Sequence, residues 1–349
     1  MKVSFVLPRR GRAGSINSAV CLGNALIGRG YDVRILYRRE SISLRSICRN
    51  VYYSLRYRKG NDWLPSFSGV SEGFRQLDRC TFAPGEVLVG MGSWAALEIA
   101  GLPVECGPGL HSIHGALPDV DVYLNRALRL PLPKIVVASH LVDMVREVGG
   151  QEVLGVVPNG VDRSAYFPPE NESARLGVGS IYQPEPWKDP TTLRSVLERL
   201  ATDMPAVHQH LFGTGRRPRG LAGATYIRMP SLEEARSIYG RCKVWMLASA
   251  SEGFPHAVLE AMACGCALVS TDCGGTRDII RDGENGFLVR VGDADALVRA
   301  TKELLLNDRL REHVCMEAAK TVRHFTWKRA AEHLEACLQK VMKPDDSQS

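Results

Sequence analysis

Residues 251–289, SEGFPHAVLEAMACGCALVSTDCGGTRDIIRDGENGFLV, hold the side chains best suited to chemistry. Glu252 and Glu260 bracket a helix start. Pro255 fits the first turn of a helix, where a missing N–H costs nothing. Gly253, Phe254, Pro255 and His256 then form the lead-in, with backbone N–H groups pointing out of the helix end. Such an end suits a phosphate or sugar oxygen. A carboxylate suits a diol, accepting from both hydroxyls. Gly274–Gly275 and the turn at 282–286 each adjoin an apolar run. Glycines, acids and helix starts at the ends of such runs point to a phosphate-bearing, hydroxyl-rich ligand in an α/β domain. A hydrolase pair is disfavoured, because a retaining glycosidase needs carboxylates on opposite sides of the scissile bond.

Strands and helices must hold these residues in place. KVSFVLP reads as a buried parallel strand, followed by a basic, glycine-containing loop at 9–14. Residues 15–29 read as a helix that Ser15 caps and Gly30 ends. Residues 31–37 are the next strand, which completes a βαβ unit. Similar units recur at 86–90 into 93–100 and at 134–138 into 141–148, and a strand at 153–157 closes into the turn PNGVD. A Pro-, Glu- and Ser-containing stretch, 163–175, reads as a linker. Beyond it the alternation restarts at 177–182 and continues through 294–306, and a long amphipathic helix spans 327–342. The pattern predicts two doubly wound α/β domains, 1–162 and 176–325, facing one another across a cleft. Residues 326–349 supply a C-terminal helix returning toward the first domain, and a polar tail.

A length of 349 residues suits two domains of ordinary size. No apolar run approaches the roughly 18 residues of a membrane-spanning helix. The apolar core at residues 3–7 is shorter than the h-region of a signal peptide, so a cytoplasmic location is expected. Ten cysteines show no paired CxxC spacing, and Cys264, Cys266 and Cys273 read as buried thiols. The first 60 residues hold 13 Lys or Arg against two acids, within a whole-chain net charge of +6. That asymmetry suits an anionic partner. Within it, Leu44, Ile47, Val51 and Leu55 recur at helical spacing among five basic residues and three tyrosines. Residues 43–60 are therefore expected to contact an anionic membrane surface peripherally. No nucleic-acid-binding motif is present.

The 251–275 stretch resembles the signature of the family 4 (group 1) retaining glycosyltransferases of the GT-B fold. VVPNGVDRSAYFP resembles the junction between their domains, HLFGTGRRP their G-x-G turn, and DGENGFLV a further turn of the same enzymes. The resemblance implies an α/β GT-B fold of two Rossmann-like domains. It implies transfer of a hexose-type sugar from a nucleotide-diphosphate donor to a glycan or lipid-linked acceptor, with anomeric configuration retained. Cell-envelope polysaccharide or glycolipid synthesis at the inner membrane face would be the setting. Glu260 would hold the ribose hydroxyls, and Glu252 would meet the donor sugar at the transfer centre. Gly253, Phe254, Pro255 and His256 would bind sugar or phosphate oxygens, and Gly213, Gly215 and Gly14 would line the donor site. Lys188, in PWKDP, would neutralise the diphosphate, whose charge grows as the glycosidic bond breaks. No metal and no cofactor are then expected. Of His111 and His114, in a glycine-rich segment, His114 is the preferred partner of the donor sugar. Ser180 departs from the family pattern, which places an Arg there; Tyr182 or Gln183 filling part of the gap, or Arg216 or Arg217 supplying the charge, are the alternatives. A non-catalytic nucleotide-sugar or glycan-binding protein and a nucleotide-sugar epimerase are the competing readings.

Two motifs mislead. GMGSWAALE mimics a dinucleotide fingerprint but lacks a ribose-binding acid at the usual distance. Asp119 and Asp121 form a DxD without an evident metal-ligand partner.

Overall fold

The computed structural model describes residues 1–39, 62–115, 121–149, 152–171, 175–221 and 223–342. The expected membrane segment, 43–60, and Asp119 lie outside the described residues. The chain forms two compact units, Met1–Asn159 with Trp327–Ser349, and Gly160–Thr326.

The first unit opens with β1 (Lys2–Leu7), α1 (Gly14–Ile27) and β2 (Asp32–Arg38). It continues through β3 (Val70–Phe74), β4 (Val87–Met91), α2 (Ser93–Ala100), β5 (Gly109–Ile113), α3 (Leu124–Leu128), β6 (Lys134–Val136), α4 (His140–Glu147) and β7 (Val153–Val156). These strands form one seven-stranded sheet in the order β3-β2-β1-β4-β5-β6-β7, with parallel pairings throughout. β1 is buried from Val3 to Leu7, as its mainly apolar run requires of a central parallel strand. Helix α1 starts earlier than the expected cap at Ser15. Ala13 is the N-cap, without a side-chain bond, and its carbonyl accepts from the amides of Ile16 and Asn17. The His111 segment, read as a glycine-rich loop, is instead β5. Leu88 N bonds the Pro108 carbonyl and Gly109 aligns with Leu88 of β4, so the segment extends the sheet. The dinucleotide-like GMGSWA has a packing explanation. A Cβ on Gly90 would lie 2.9 Å from Ala96 N, so glycine lets α2 close on β4.

The second unit comprises β8 (Gly177–Ile181), α5 (Pro190–Asp203), β9 (His208–Gly213), β10 (Ala224–Arg228), α6 (Leu232–Gly240), β11 (Cys242–Leu247), α7 (His256–Ala263), β12 (Ala267–Thr271), β13 (Phe287–Val289), α8 (Ala294–Leu306) and α9 (Asp308–Val322). Its sheet runs β10-β9-β8-β11-β12-β13, again parallel. Ser231 and Glu234 form a reciprocal capping box on α6, and Asp189 caps α5 through Thr192 N at 3.0 Å. The chain then returns to the first unit as α10 (Trp327–Met342), which packs on α1 and β7.

The stretch 163–175, expected to be a linker, has its described ends built into the second unit. Tyr166 is buried, and so is Arg175. The Arg175 guanidinium donates to the carbonyls of Cys264, Cys242 (3.0 Å) and Tyr239 (3.5 Å). A cation is tolerated in a core when carbonyls satisfy its donors. Around it Cys242, Cys264 and Cys266 are buried and form no disulfide, and neither does Cys273 beyond them. Burial pushes the Cys273 thiol up to about 12, so these thiols behave as small apolar side chains.

Candidate active site

In a parallel α/β sheet, ligands gather at the carboxyl ends of the strands. In the second unit the loops after β8, β11 and β12 converge there. The loop after β8 makes a short turn, Pro186–Lys188, whose Trp187 carbonyl accepts from Ala250 N at 2.8 Å and Ser251 N at 3.2 Å. This ties Lys188 to the segment that carries Glu252. Lys188 Nζ donates to Glu252 Oε1 at 2.6 Å, and Ser249 Oγ donates to the same oxygen at 2.7 Å. Both charges remain partly open, with the lysine side chain 26% exposed and the glutamate 12%.

The glycine pair after β12 fixes Glu252 from below. Glu252 N donates to Cys273 O at 2.9 Å, and Gly275 N donates to Glu252 O at 3.1 Å. Gly274 has φ +95°, which favours glycine. A Cβ on Gly275 would lie 1.7 Å from the Gly253 carbonyl oxygen. Each glycine therefore has its own reason, backbone conformation for the first and backbone contact for the second.

Helix α7 begins at His256, with the extended Pro255 as its N-cap, one residue later than the sequence pattern suggested. No side chain caps this end. Phe254 is buried with its ring centroid 5.6 Å from that of Phe325, and Pro255 is buried too. These two seat the loop, while Gly253 and His256 stay partly exposed. Glu260, inside α7, is not an open carboxylate. Its Oε2 accepts from Tyr239 Oη at 2.7 Å. Burial pushes the Glu260 carboxyl up, and the hydroxyls of Tyr239 and Tyr166 oppose that rise. Burial holds Tyr239 far above its ordinary value, so it remains a donor. A carboxylate has about four acceptor positions, which leaves capacity for an incoming hydroxyl. Sequence reasoning missed both tyrosines; Tyr166 lay in plain view in the AYFP of the junction motif.

Gly213 and Gly215 shape the neighbouring loop. A Cβ on Gly213 would come within 2.0 Å of the Tyr182 carbonyl oxygen, and one on Gly215 would lie 3.1 Å from Pro184 Cδ. Ser180 is buried inside β8, and its hydroxyl turns to the Ile181 carbonyl at 3.4 Å. Of the alternative cations, Arg217 donates to Ala224 O at 2.7 Å, and Arg216 is exposed. The DGENG turn, grouped with the site on sequence grounds, is scaffolding. Asn285 is fully buried; it accepts from Arg281 N at 2.7 Å and donates to Ile279 O at 3.0 Å and Thr321 Oγ1 at 2.9 Å.

Two predicted site residues belong to the first unit. Gly14 opens α1. His114 follows β5, its Nε2 3.0 Å from Ser112 Oγ. His111 lies within β5, fully buried, and neither ring nitrogen has a hydrogen-bond partner among the described residues. Burial, aided by Lys134 and His114, pushes its pKa down to about 3, so it is a neutral core residue. Of the two histidines, His114 is the one at a strand's carboxyl end. Among the described residues, no three His, Cys, Asp or Glu side chains gather as metal ligands, and no helix is long and apolar enough to cross a membrane.

Residues 226–321 match the family described as glycosyl transferases group 1. They span the Lys188-paired Glu252, the start of α7, Glu260 and the glycine pair. Over this stretch the chain is similar to the group 1 glycosyltransferases. Over 76 residues the chain is 43% identical to a phosphatidyl-myo-inositol mannosyltransferase of Mycobacterium leprae, which covers 22% of this chain and 20% of that protein. The match thus spans about a fifth of the length of that relative. A D-inositol 3-phosphate glycosyltransferase of Xylanimonas cellulosilytica is 26% identical, with 93% of this chain and 91% of that protein covered. Anabaena Alr3699/HepE, solved in complex with UDP and glucose, superposes with a TM-score of 0.76 at 15% identity, covering 97% of this chain and 100% of that one. The chain has the two-domain α/β GT-B fold.

Proposed function

We propose that the protein transfers a hexose-type sugar from a nucleotide-diphosphate donor to a glycan or lipid-linked acceptor, with retention of configuration. The observation that carries this reading is the Lys188–Glu252 pair at 2.6 Å, set at the carboxyl end of the second sheet beside an uncapped helix start. In this reading Lys188 faces the donor diphosphate and Glu252 the sugar. Glu260 takes a ribose hydroxyl with the acceptor capacity the tyrosines leave. The bond from the sugar's anomeric carbon to the diphosphate breaks as the bond to the acceptor hydroxyl forms. The acceptor's proton passes to a leaving phosphate oxygen. A fixed ammonium stabilises the charge that develops on the departing nucleotide, so the reaction proceeds without a metal, and turnover should survive chelation with EDTA. The names of the inositol-linked relatives support a place in glycolipid or polysaccharide synthesis.

Release of nucleoside diphosphate from a panel of sugar nucleotides tests the reading. Turnover of one donor that Glu252→Ala abolishes is the expected result; turnover that Glu252→Ala leaves intact contradicts it. The second reading, binding without transfer, is favoured by one observation. Ser180 is buried and gives its hydroxyl to a carbonyl where the family pattern places a cation. Nucleotide binding with no release from any donor would select it.

A further inference from the structure

The Glu252 carboxylate is held by two donors that differ in kind. Lys188 Nζ and Ser249 Oγ both donate to Oε1, at 2.6 and 2.7 Å. Oε2 takes no hydrogen bond among the described residues, and the side chain is 12% exposed. The doubly bonded oxygen is the anchor, and the other is left for a ligand hydroxyl.

Lys188 alone does not fix Glu252 once an anion arrives. Its side chain is 26% exposed, and its charge is what a diphosphate at this edge attracts. Its three N–H donors are then shared between carboxylate and phosphate oxygens. Ser249 faces no such competition. It is 2% exposed, uncharged, and its one O–H is committed to Oε1.

Ser249 is itself fixed from the neighbouring strand. It lies just beyond β11, and its carbonyl accepts from Thr271 Oγ1, at the end of β12, at 2.5 Å; the Leu247 carbonyl is the longer acceptor at 3.4 Å. The Thr271 carbonyl accepts from Thr276 Oγ1 at 3.1 Å, and Cys273 N donates to that carbonyl at 3.0 Å and to Thr276 Oγ1 at 3.2 Å. The Cys273 carbonyl in turn accepts from Glu252 N at 2.9 Å. Thr271 and Thr276 are fully buried. These bonds close a circuit that grips Glu252 at both its amide and its carboxylate. A buried polar network whose members are all satisfied is rigid.

We propose that Ser249 is a positioning residue for sugar transfer: anchored to β12 through Thr271, it pins Glu252 Oε1, so that Oε2 meets the donor sugar while the Lys188 ammonium turns to the diphosphate. The sugar and the diphosphate rest on the glycosyltransferase reading; the pinning of the carboxylate does not.

Steady-state donor turnover by Ser249→Ala tests it. kcat should fall on the order of 10- to 100-fold, because a carboxylate displaced by about 1 Å loses its alignment. KM for donor, and the thermal shift given by the matching nucleoside diphosphate, should stay within about two-fold, since uniform binding is untouched. Ser249→Thr keeps the hydroxyl and should recover most of kcat. Ser249→Cys keeps the volume with only a weak donor and should behave like alanine. Thr271→Val cuts the anchor and should show the same split at smaller amplitude. Thr301→Val removes a fully buried hydroxyl from α8 and should leave kcat unchanged. A wild-type kcat in Ser249→Ala, or a kcat that cysteine restores as fully as threonine, overturns the proposal. Crystal structures of two unliganded variants decide the pinning without turnover. In Lys188→Ala, Oε1 should stay on Ser249; in Ser249→Ala, the carboxylate should leave its place. A carboxylate that leaves Ser249 in the lysine variant, or stays put in the serine variant, overturns the proposal. Absence of turnover and of any nucleotide shift in the wild type sinks the donor reading, while these structures still decide the role of Ser249.

Discussion

Replacing Gly275 with alanine is the sharpest structural test of how Glu252 is held. The added Cβ would sit 1.7 Å from the Gly253 carbonyl oxygen and 3.0 Å from Phe254 Cα. A non-bonded carbon and oxygen need about 3 Å, so the two backbone segments must part by more than about 1 Å. Both are backbone, so no side chain can swing away. The Gly275 N–Glu252 O bond at 3.1 Å goes with that movement. Losing it costs about 1 kcal/mol, and overpacking adds roughly 1–3 kcal/mol, for a total of roughly 2–4 kcal/mol. Because Glu252 moves with the strand, donor turnover should fall on the order of 100-fold, as a displacement of about 1 Å implies. Urea unfolding and donor turnover read the two effects. Gly283→Ala is the comparison: its φ is +75° but nothing lies within 4 Å of the added carbon, so only the left-handed strain of about 1–2 kcal/mol applies. If Gly275→Ala unfolds and turns over like the wild type, or like Gly283→Ala, the account of the glycine pair is refuted.

Lys188→Ala should lower kcat/KM for the donor by roughly 100- to 1,000-fold, the usual cost of one preorganised charge at a leaving group, measured as nucleotide release under steady state. Tyr239→Phe removes a bond that opposes the upward shift of Glu260, so its carboxyl should protonate at a higher pH. Nucleotide affinity, followed as pH falls toward the ordinary carboxylate range, should then decline earlier in the variant; a superimposable profile would argue against Glu260 as a ligand. His111 is held neutral with a pKa of about 3 against an ordinary 6.5. The unfolded chain therefore takes up the proton first, and stability is full above pH 6.5 and lost as pH falls. Between pH 6.5 and 5 the loss is about 2 kcal/mol, and His111→Leu should remove that part of the acid sensitivity in urea titrations. Asn285→Ala deletes three hydrogen bonds, two of them buried, and should cost roughly 2–4 kcal/mol while leaving the KM for donor unchanged.

The doubly wound halves were legible because parallel strands buried on both faces read as mainly apolar runs, and KVSFVL and CKVWML do. α10 was read to the residue, since an amphipathic face over four turns leaves little ambiguity. The site's outline was legible from Glu252, Glu260 and the glycines, which crowd one short stretch. What could not be read depends on partners distant in sequence. Tyr239 reaches Glu260 from another helix, and no local pattern announces it. Arg175 followed a polar stretch and looked like linker, although three carbonyls and the Cys266 thiol of the core accept from its guanidinium. The glycines of GPGLHSIHG suggested a loop and hid β5, where Gly109 is needed because a Cβ would strike Ile99 at 2.6 Å.

The central claim is that the second unit binds a nucleotide-diphosphate sugar through Lys188, Glu252 and Glu260. Thermal unfolding of the wild type, Lys188→Ala and Glu260→Ala with UDP, GDP, ADP, dTDP and CMP tests it most directly. The account predicts that one nucleoside diphosphate stabilises the wild type by about 2.7 kcal/mol at 100 times its Kd, and that both substitutions sharply reduce the shift. No shift with any nucleotide, or a shift that both variants retain in full, would contradict it.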